Sequence, residues 1–211
     1  SETGGQARAV AMLGDRAVVA SGAGGLEVFA LSPPRRVATV ALRGIVRDVQ
    51  VEGERVFVAL GSGGFAVLEA EGEDGLRVFG QTASHVADYV QPVAGHAVIM
   101  RGEGGLDLLD CTDVTTPRSI ARGQIPHFPV QLAVLSGRHV LGISPWEVAS
   151  FDTEAGFTKR VLSDPAQRDG GRGVAAWESR VLMCRLSALE CWEGAVSYTH
   201  LRAHETPEHL V

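Results

Sequence analysis

Two histidines and one aspartate stand where they could hold a cation. His85 lies eleven residues before His96 and His127 eleven before Arg138, so both take the same place ahead of a recurring strand. Asp169 takes that place later in the chain, and Gly5 and Gly44 take it earlier. Neutral imidazole and carboxylate suit a divalent transition metal. Two histidines from neighbouring repeats are too few for a structural site, so the residues favour solvated loop positions over a metal. Asp107, Asp110 and Asp113 form a second acidic series. On a strand, Asp107 and Asp110 point to opposite faces. Asp110 and Asp113 are therefore expected to accept hydrogen bonds from turn N–H groups.

The glycine runs Gly22–Gly25, Gly61–Gly64 and Gly102–Gly105 superficially resemble phosphate cradles. A phosphate loop opens a helix. These runs open a strand three times over, so Gly25, Gly64 and Gly105 are read as structural turn residues. No Ser-His-Asp order, paired-carboxylate pattern or Cys-His pair suggests a catalytic residue. Cys184 and Cys191 could face each other across a hairpin, but small buried hydrophobes is the favoured reading for both. Trp146, Trp177 and Trp192 are expected to pack between sheets.

The elements behind these residues follow from a period of about forty. An apolar strand returns at Arg16–Ala20, Arg55–Ala59, His96–Met100, Arg138–Gly142 and Arg180–Cys184, with steps of 39, 41, 42 and 42. Its continuous apolar character implies burial on both faces. A strand precedes it across a glycine turn such as Gly14-Asp15 or Gly53-Glu54. A third strand follows the glycine run, and a polar link containing proline leads to a more exposed fourth. The fourth repeat is degenerate, with Pro145-Trp146 replacing the glycine pair. Four antiparallel strands at this period describe an all-β fold, a partial β-propeller of about four and a half four-stranded blades. The repeats run approximately 4–44, 45–86, 87–129, 130–171 and 172–195.

Composition agrees. The 211 residues hold 45% hydrophobic residues, 26 glycines and a net charge of −6. That charge argues against nucleic acid as a partner, and no apolar run is long enough to span a membrane as a helix.

The run Gly14-Asp-Arg-Ala-Val-Val-Ala20, then Gly25-Leu-Glu-Val-Phe29 and Leu31-Ser-Pro-Pro34, resembles the LVIVD repeat of bacterial and archaeal propellers. Gly104-Gly-Leu-Asp-Leu-Leu-Asp110, with Asp113 and Pro117, resembles it again. The resemblance covers residues 4–195. It implies an extracytoplasmic protein and a ring of six or seven blades, of which this chain would be a fragment. Residues 196–211 hold no repeat register. Val196 to Thr206 resembles the translation of a sequencing adaptor, so this tail, with His200, His204 and His209, is set apart as non-native and expected to be disordered.

The expected function is a non-catalytic binding or scaffolding module presenting a face or channel mouth to a protein or surface ligand. The alternative is a metal-dependent enzyme at the channel mouth using His85, His127 and Asp169. The two separate by thermal shift. The binding-module reading expects Ca²⁺, Zn²⁺ and Mn²⁺ to leave the melting temperature unchanged, with His85→Ala silent; a metal-induced rise abolished by His85→Ala would establish the alternative.

Overall fold

The computed structural model describes residues 3–72, 74–83, 86–102, 104–126, 131–162, 171–177, 180–185 and 189–193. The tail, His85, His127 and Asp169 lie outside the described residues. Among the described residues every regular element is a strand.

The chain divides into two compact units, Ser1–Arg122 and Gly123–Val211. In the first, β1 (Ala9–Leu13), β2 (Arg16–Ala20), β3 (Leu26–Leu31) and β4 (Pro34–Val40) form one antiparallel sheet in sequence order. A second sheet follows with β5 (Asp48–Glu52), β6 (Arg55–Ala59), β7 (Phe65–Glu71) and β8 (Gly75–Thr82). The third has β9 (Tyr89–Val93), β10 (His96–Met100), β11 (Gly105–Asp110) and β12 (Arg118–Gln124). The second unit holds β13 (Gln131–Ser136), β14 (His139–Ile143), β15 (Val148–Asp152) and β16 (Thr158–Val161) in one sheet. A sheet of β17 (Gly171–Trp177), β18 (Arg180–Arg185) and β19 (Leu189–Glu193) completes it. Pro34 is itself the first residue of β4 rather than standing ahead of it. It occupies an outermost strand, where a missing N–H breaks no ladder bond.

Hairpin turns explain the tight β1–β2 and β5–β6 connections. Gly14 and Gly53 adopt φ of 61° and 62°, left-handed values that a side chain disfavours. The sheets of the first unit then stack. Val18, Leu26 and Val28 of the first sheet meet Val56, Val58 and Leu68 of the second. On the second sheet's other face, Phe57, Phe65 and Val67 meet Ala97, Ile99 and Leu109 of the third. Val56, Phe57, Val58 and Ala59 are all at most 1% exposed, because β6 is covered on both sides. First strands adjoin one another, β1 beside β5 and β5 beside β9. In the second unit β13 lies beside β17, and Leu141, Ile143 and Val148 pack with Val174, Val181 and Met183.

One face breaks the pattern. Val10 and Met12 are 64% and 52% exposed. Their register equivalents on β5 are Val49 and Val51, which pack in the core shared with the first sheet. The open face thus has the chemistry of an interior one. We expect self-association through this face, measured as a mass above the monomer by light scattering, and Met12→Glu to reduce it. A concentration-independent monomer for the unsubstituted chain would contradict this.

Candidate functional site

The glycine turns and the charged residues Arg8, Arg47 and Asp88 share one end of the first unit's sheets, while Asp110 and Asp113 lie at the other. At the shared end the turns between second and third strands meet the links that enter each next sheet. The turns close alike: the N–H of Ser21, Leu60 and Arg101 donates to the carbonyl of Gly25, Gly64 and Gly105 at 3.0, 2.8 and 2.8 Å. Gly24, Gly63 and Gly104 donate back to the carbonyls of Ser21, Leu60 and Arg101 at 2.9 to 3.0 Å. These amides are therefore engaged within the turns rather than aimed at an anion. Gly25 and Gly64 take φ of 89° and 86°, but in the third turn Gly104 takes the left-handed conformation, at 84°. Gly105 instead begins β11.

The first two turns are also tied to the following link. Val46 donates to the carbonyl of Gly22 at 3.0 Å, while Gly61 and Ala87 exchange two bonds of 2.7 and 3.0 Å. Close approach makes this possible. A Cβ on Gly44 would lie 2.7 Å from the Leu60 carbonyl oxygen and 2.9 Å from the Gly63 Cα, and one on Gly5 would collide with the Ser21 carbonyl and Gly24. Gly5 and Gly44 are the described counterparts of His85, His127 and Asp169, and in the first two repeats that place leaves no room for a side chain. Among the described residues no group of three or more His, Cys, Asp or Glu could hold a metal ion.

Beside the links stands a charged rim that sequence reasoning missed. Arg8, Arg47 and Asp88 occupy one repeat position, their N–H groups donating to the carbonyls of Ala20, Ala59 and Met100, each at 2.8 Å. Arg47 Nε lies 3.8 Å from Asp88 Oδ1, and Arg8 Nη2 donates to Gln6 Oε1 at 3.2 Å. Next to the rim, Arg43, Gly63, Gln81 and Ala83 line a cavity of about 250 Å³. Gln81 Nε2 spans its wall, donating to the carbonyls of Arg43 and Gly63 at 2.7 and 3.2 Å.

Among the described residues of the first unit, three carboxylates are buried. Glu27 is fully buried; Gly4 N–H reaches both oxygens at 3.0 Å, and Ser21 Oγ and Arg36 Nη1 donate as well. Burial pushes its pKa up, but those donors outweigh it and hold the group below its ordinary value. Asp107, equally buried, lies 3.6 Å from Arg101 Nε and 3.2 Å from Arg122 Nε. Asp48 accepts from Val49 N–H at 2.9 Å and from Val90 N–H at 3.0 Å, 42 residues away. The available signal for Glu27 and Asp107 was an acid at the same place in an apolar strand, Leu26-Glu27-Val28 and Leu106-Asp107-Leu108.

Asp110 and Asp113 do not converge with Asp107. Asp110 Oδ1 accepts from Thr112 N–H and Oγ1 at 2.9 and 2.7 Å. Asp113 accepts from Thr115 N–H and Oγ1 at 3.0 and 2.6 Å and from Thr116 Oγ1 at 2.8 Å. The Thr115 and Thr116 hydroxyls, with Thr115 N–H, lower the Asp113 pKa to about 2. Two other expectations need correction. Cys184 is exposed and pairs in register with Leu189, while Cys191 pairs with Leu182, so the two are not directly opposed. Trp146 is 47% exposed rather than packed between sheets, because the shorter fourth turn, closed by Ser144 N–H on the Glu147 carbonyl at 2.8 Å, carries it at its tip. The side chains of Trp177, Cys191 and Trp192 lie outside the described residues.

Repeated four-stranded antiparallel sheets with adjacent first strands define a partial β-propeller. Comparison with solved structures agrees. The chain is similar to the β-propeller domain of Cps50 (Swd1) from Myceliophteria thermophila, with a TM-score of 0.65 and 17% identity over 95% of this chain and 73% of that one. It is also similar to the computationally designed Ika8 protein, with a TM-score of 0.72 and 14% identity over 94% of this chain and 61% of that one. No family model matches the chain. No curated protein matches it in sequence.

The turn geometry is testable through two glycines. A Cβ on Gly64 would collide with the Thr82 carbonyl, whereas nothing lies within 4 Å of one on Gly14. We expect Gly14→Ala to lose about 1 kcal/mol, the left-handed penalty alone. Gly64→Ala should lose about 3 kcal/mol or more, because a backbone clash is added. Urea unfolding checks the difference, and equal losses would contradict it.

Proposed function

We propose that the chain is a non-catalytic binding or scaffolding module, a propeller of the LVIVD-repeat kind acting as one array from residue 4 to 195. It presents its turn-and-link end, the channel mouth included, to a protein or surface ligand. The observation that carries this reading is the tie between the first two turns and the links that follow them, Gly22 to Val46 and Gly61 to Ala87. It holds exposed Arg8, Arg43 and Arg47 on a fixed backbone, so binding adds side-chain ordering but little backbone ordering there. Mixed charge at the rim favours selectivity and association rate over raw affinity.

Charge reversal at the two ends of the sheets tests the reading. A partner recovered by cross-linking to the unsubstituted chain should lose affinity at least about tenfold with Arg47→Glu, a change of about 1.4 kcal/mol. It should be unaffected by Arg118→Glu beside the Asp110 and Asp113 turns. Equal effects from both variants, or none from Arg47→Glu, would count against the turn-and-link end as the binding face.

A further inference from the structure

Asp48 and Gln131 hold the same position in different repeats. Asp48 pairs with Ala59 at the start of its sheet's first strand, and Gln131 pairs likewise with Ile143. Both side chains reach the first strand of the following sheet. Asp48 Oδ2 accepts from Val90 N–H at 3.0 Å. Gln131 Oε1 accepts from Val174 N–H at 2.9 Å, and its Nε2 donates to the Val174 carbonyl at 2.9 Å. Val90 and Val174 are themselves register equivalents, paired with Ile99 and Met183.

Among the described residues, first strands of adjoining sheets are not hydrogen-bonded to each other through their backbones. A side chain that joins them is a staple across otherwise apolar packing. The neutral amide of Gln131 supplies both a donor and an acceptor. A carboxylate at Asp48 supplies acceptors only, and its residue is just 8% exposed. We propose that Asp48 is a proton-operated staple between the second and third sheets: its buried carboxyl carries the bond to Val90, and taking up a proton removes the cost of holding its charge away from water.

The charged and titratable surroundings permit this assignment. Near Asp48 along the chain and on β9 stand Arg47, Asp88 and Tyr89, of which Arg47 and Asp88 pair with one another. Arg8 precedes β1, which carries no titratable residue. Arg16 on β2, Glu52 on β5 and Arg55 on β6 stand at the opposite ends of their strands. Burial raises the Asp48 pKa to about 6, opposed by the N–H groups of Val90 and Val49. The ordinary unfolded value is about 3.9. The folded state therefore binds the proton first, and stability rises as pH falls from about 7 towards 4. The gap corresponds to about a hundredfold change in the folding equilibrium. Asp113, Asp110 and Glu27 have lowered values, so their contributions are lost only at more acidic pH, outside this window.

Thermal unfolding of the full chain at about pH 5 and pH 7.5 tests the staple. We expect the melting temperature to be about 5 °C higher at the lower pH. Asp48→Asn, which cannot titrate, should flatten the profile, whatever it loses by turning an NH2 group towards one of the two N–H donors. Gln131→Glu should create the same dependence in the second unit, with a loss at pH 7.5 recovered at pH 5. The hydrogen-exchange protection factor of the Val90 amide should rise on acidification in the unsubstituted chain but not in Asp48→Asn. A pH profile of Asp48→Asn parallel to that of the unsubstituted chain would overturn the proposal. So would an NMR titration placing the Asp48 carboxyl at its ordinary value, which also decides the matter should Asp48→Asn fail to fold.

Discussion

A β-sheet that is apolar on both faces cannot stand alone in water, and the first unit is built around that constraint. Its second sheet shows the consequence most fully. Val56 and Val58 point into one core and Phe57 and Ala59 into the next, so alternate residues of a single strand serve two interfaces. Each deeply buried Val or Phe side chain removes enough apolar surface from water to contribute about 1.5–3 kcal/mol. A sheet so made needs a neighbour on each side, and the neighbours must approach closely all along their length. That requirement sets the tight links, the glycines at Gly5 and Gly44, and the bridges that hold the first two turns to the next sheet.

Polar groups inside such interfaces have to bring their own partners. Glu27 and Asp107 sit at matching places in β3 and β11, yet they are neutralised differently. Glu27 collects a backbone N–H, a hydroxyl and Arg36, while Asp107 lies between Arg101 and Arg122. The intervening repeat has Leu60 and Ala66 where the third has Arg101 and Asp107, so charge and countercharge vary together. Such pairs add little net stability against apolar residues, but removing one partner leaves a buried charge. Asp48 follows another course, since backbone amides alone attend it and burial prevails.

Much of the strand pattern was legible in the residues, because period-two alternation and glycine spacing are local properties. The β2, β6 and β10 strands lie where their β-branched runs placed them. Shifts of one or two residues arose where local rules compete. Gly104 and Gly105 are chemically identical, and the choice between them as the left-handed residue depends on how the third turn meets its own strand. Trp146 was misplaced for a related reason: its size suggests burial, but a turn one residue shorter leaves it outside.

The candidate site was less legible. Histidine draws notice by its chemistry, whereas Arg8, Arg47 and Asp88 share only a repeat position and look like ordinary surface charges. The linear order of residues by itself determined the repeat, through a period of about forty, and the all-β class, the sandwiched character of the second strands and the turn roles of Asp110 and Asp113, through patterns within a few residues. Tertiary structure alone decided which acids are buried, which guanidinium faces which carboxylate, and that Asp48 and Gln131 reach the next sheet. The Asp48 and Gln131 contacts join residues 42 and 43 positions apart, and no local preference of the chain specifies which side chain will be desolvated when two sheets close upon each other.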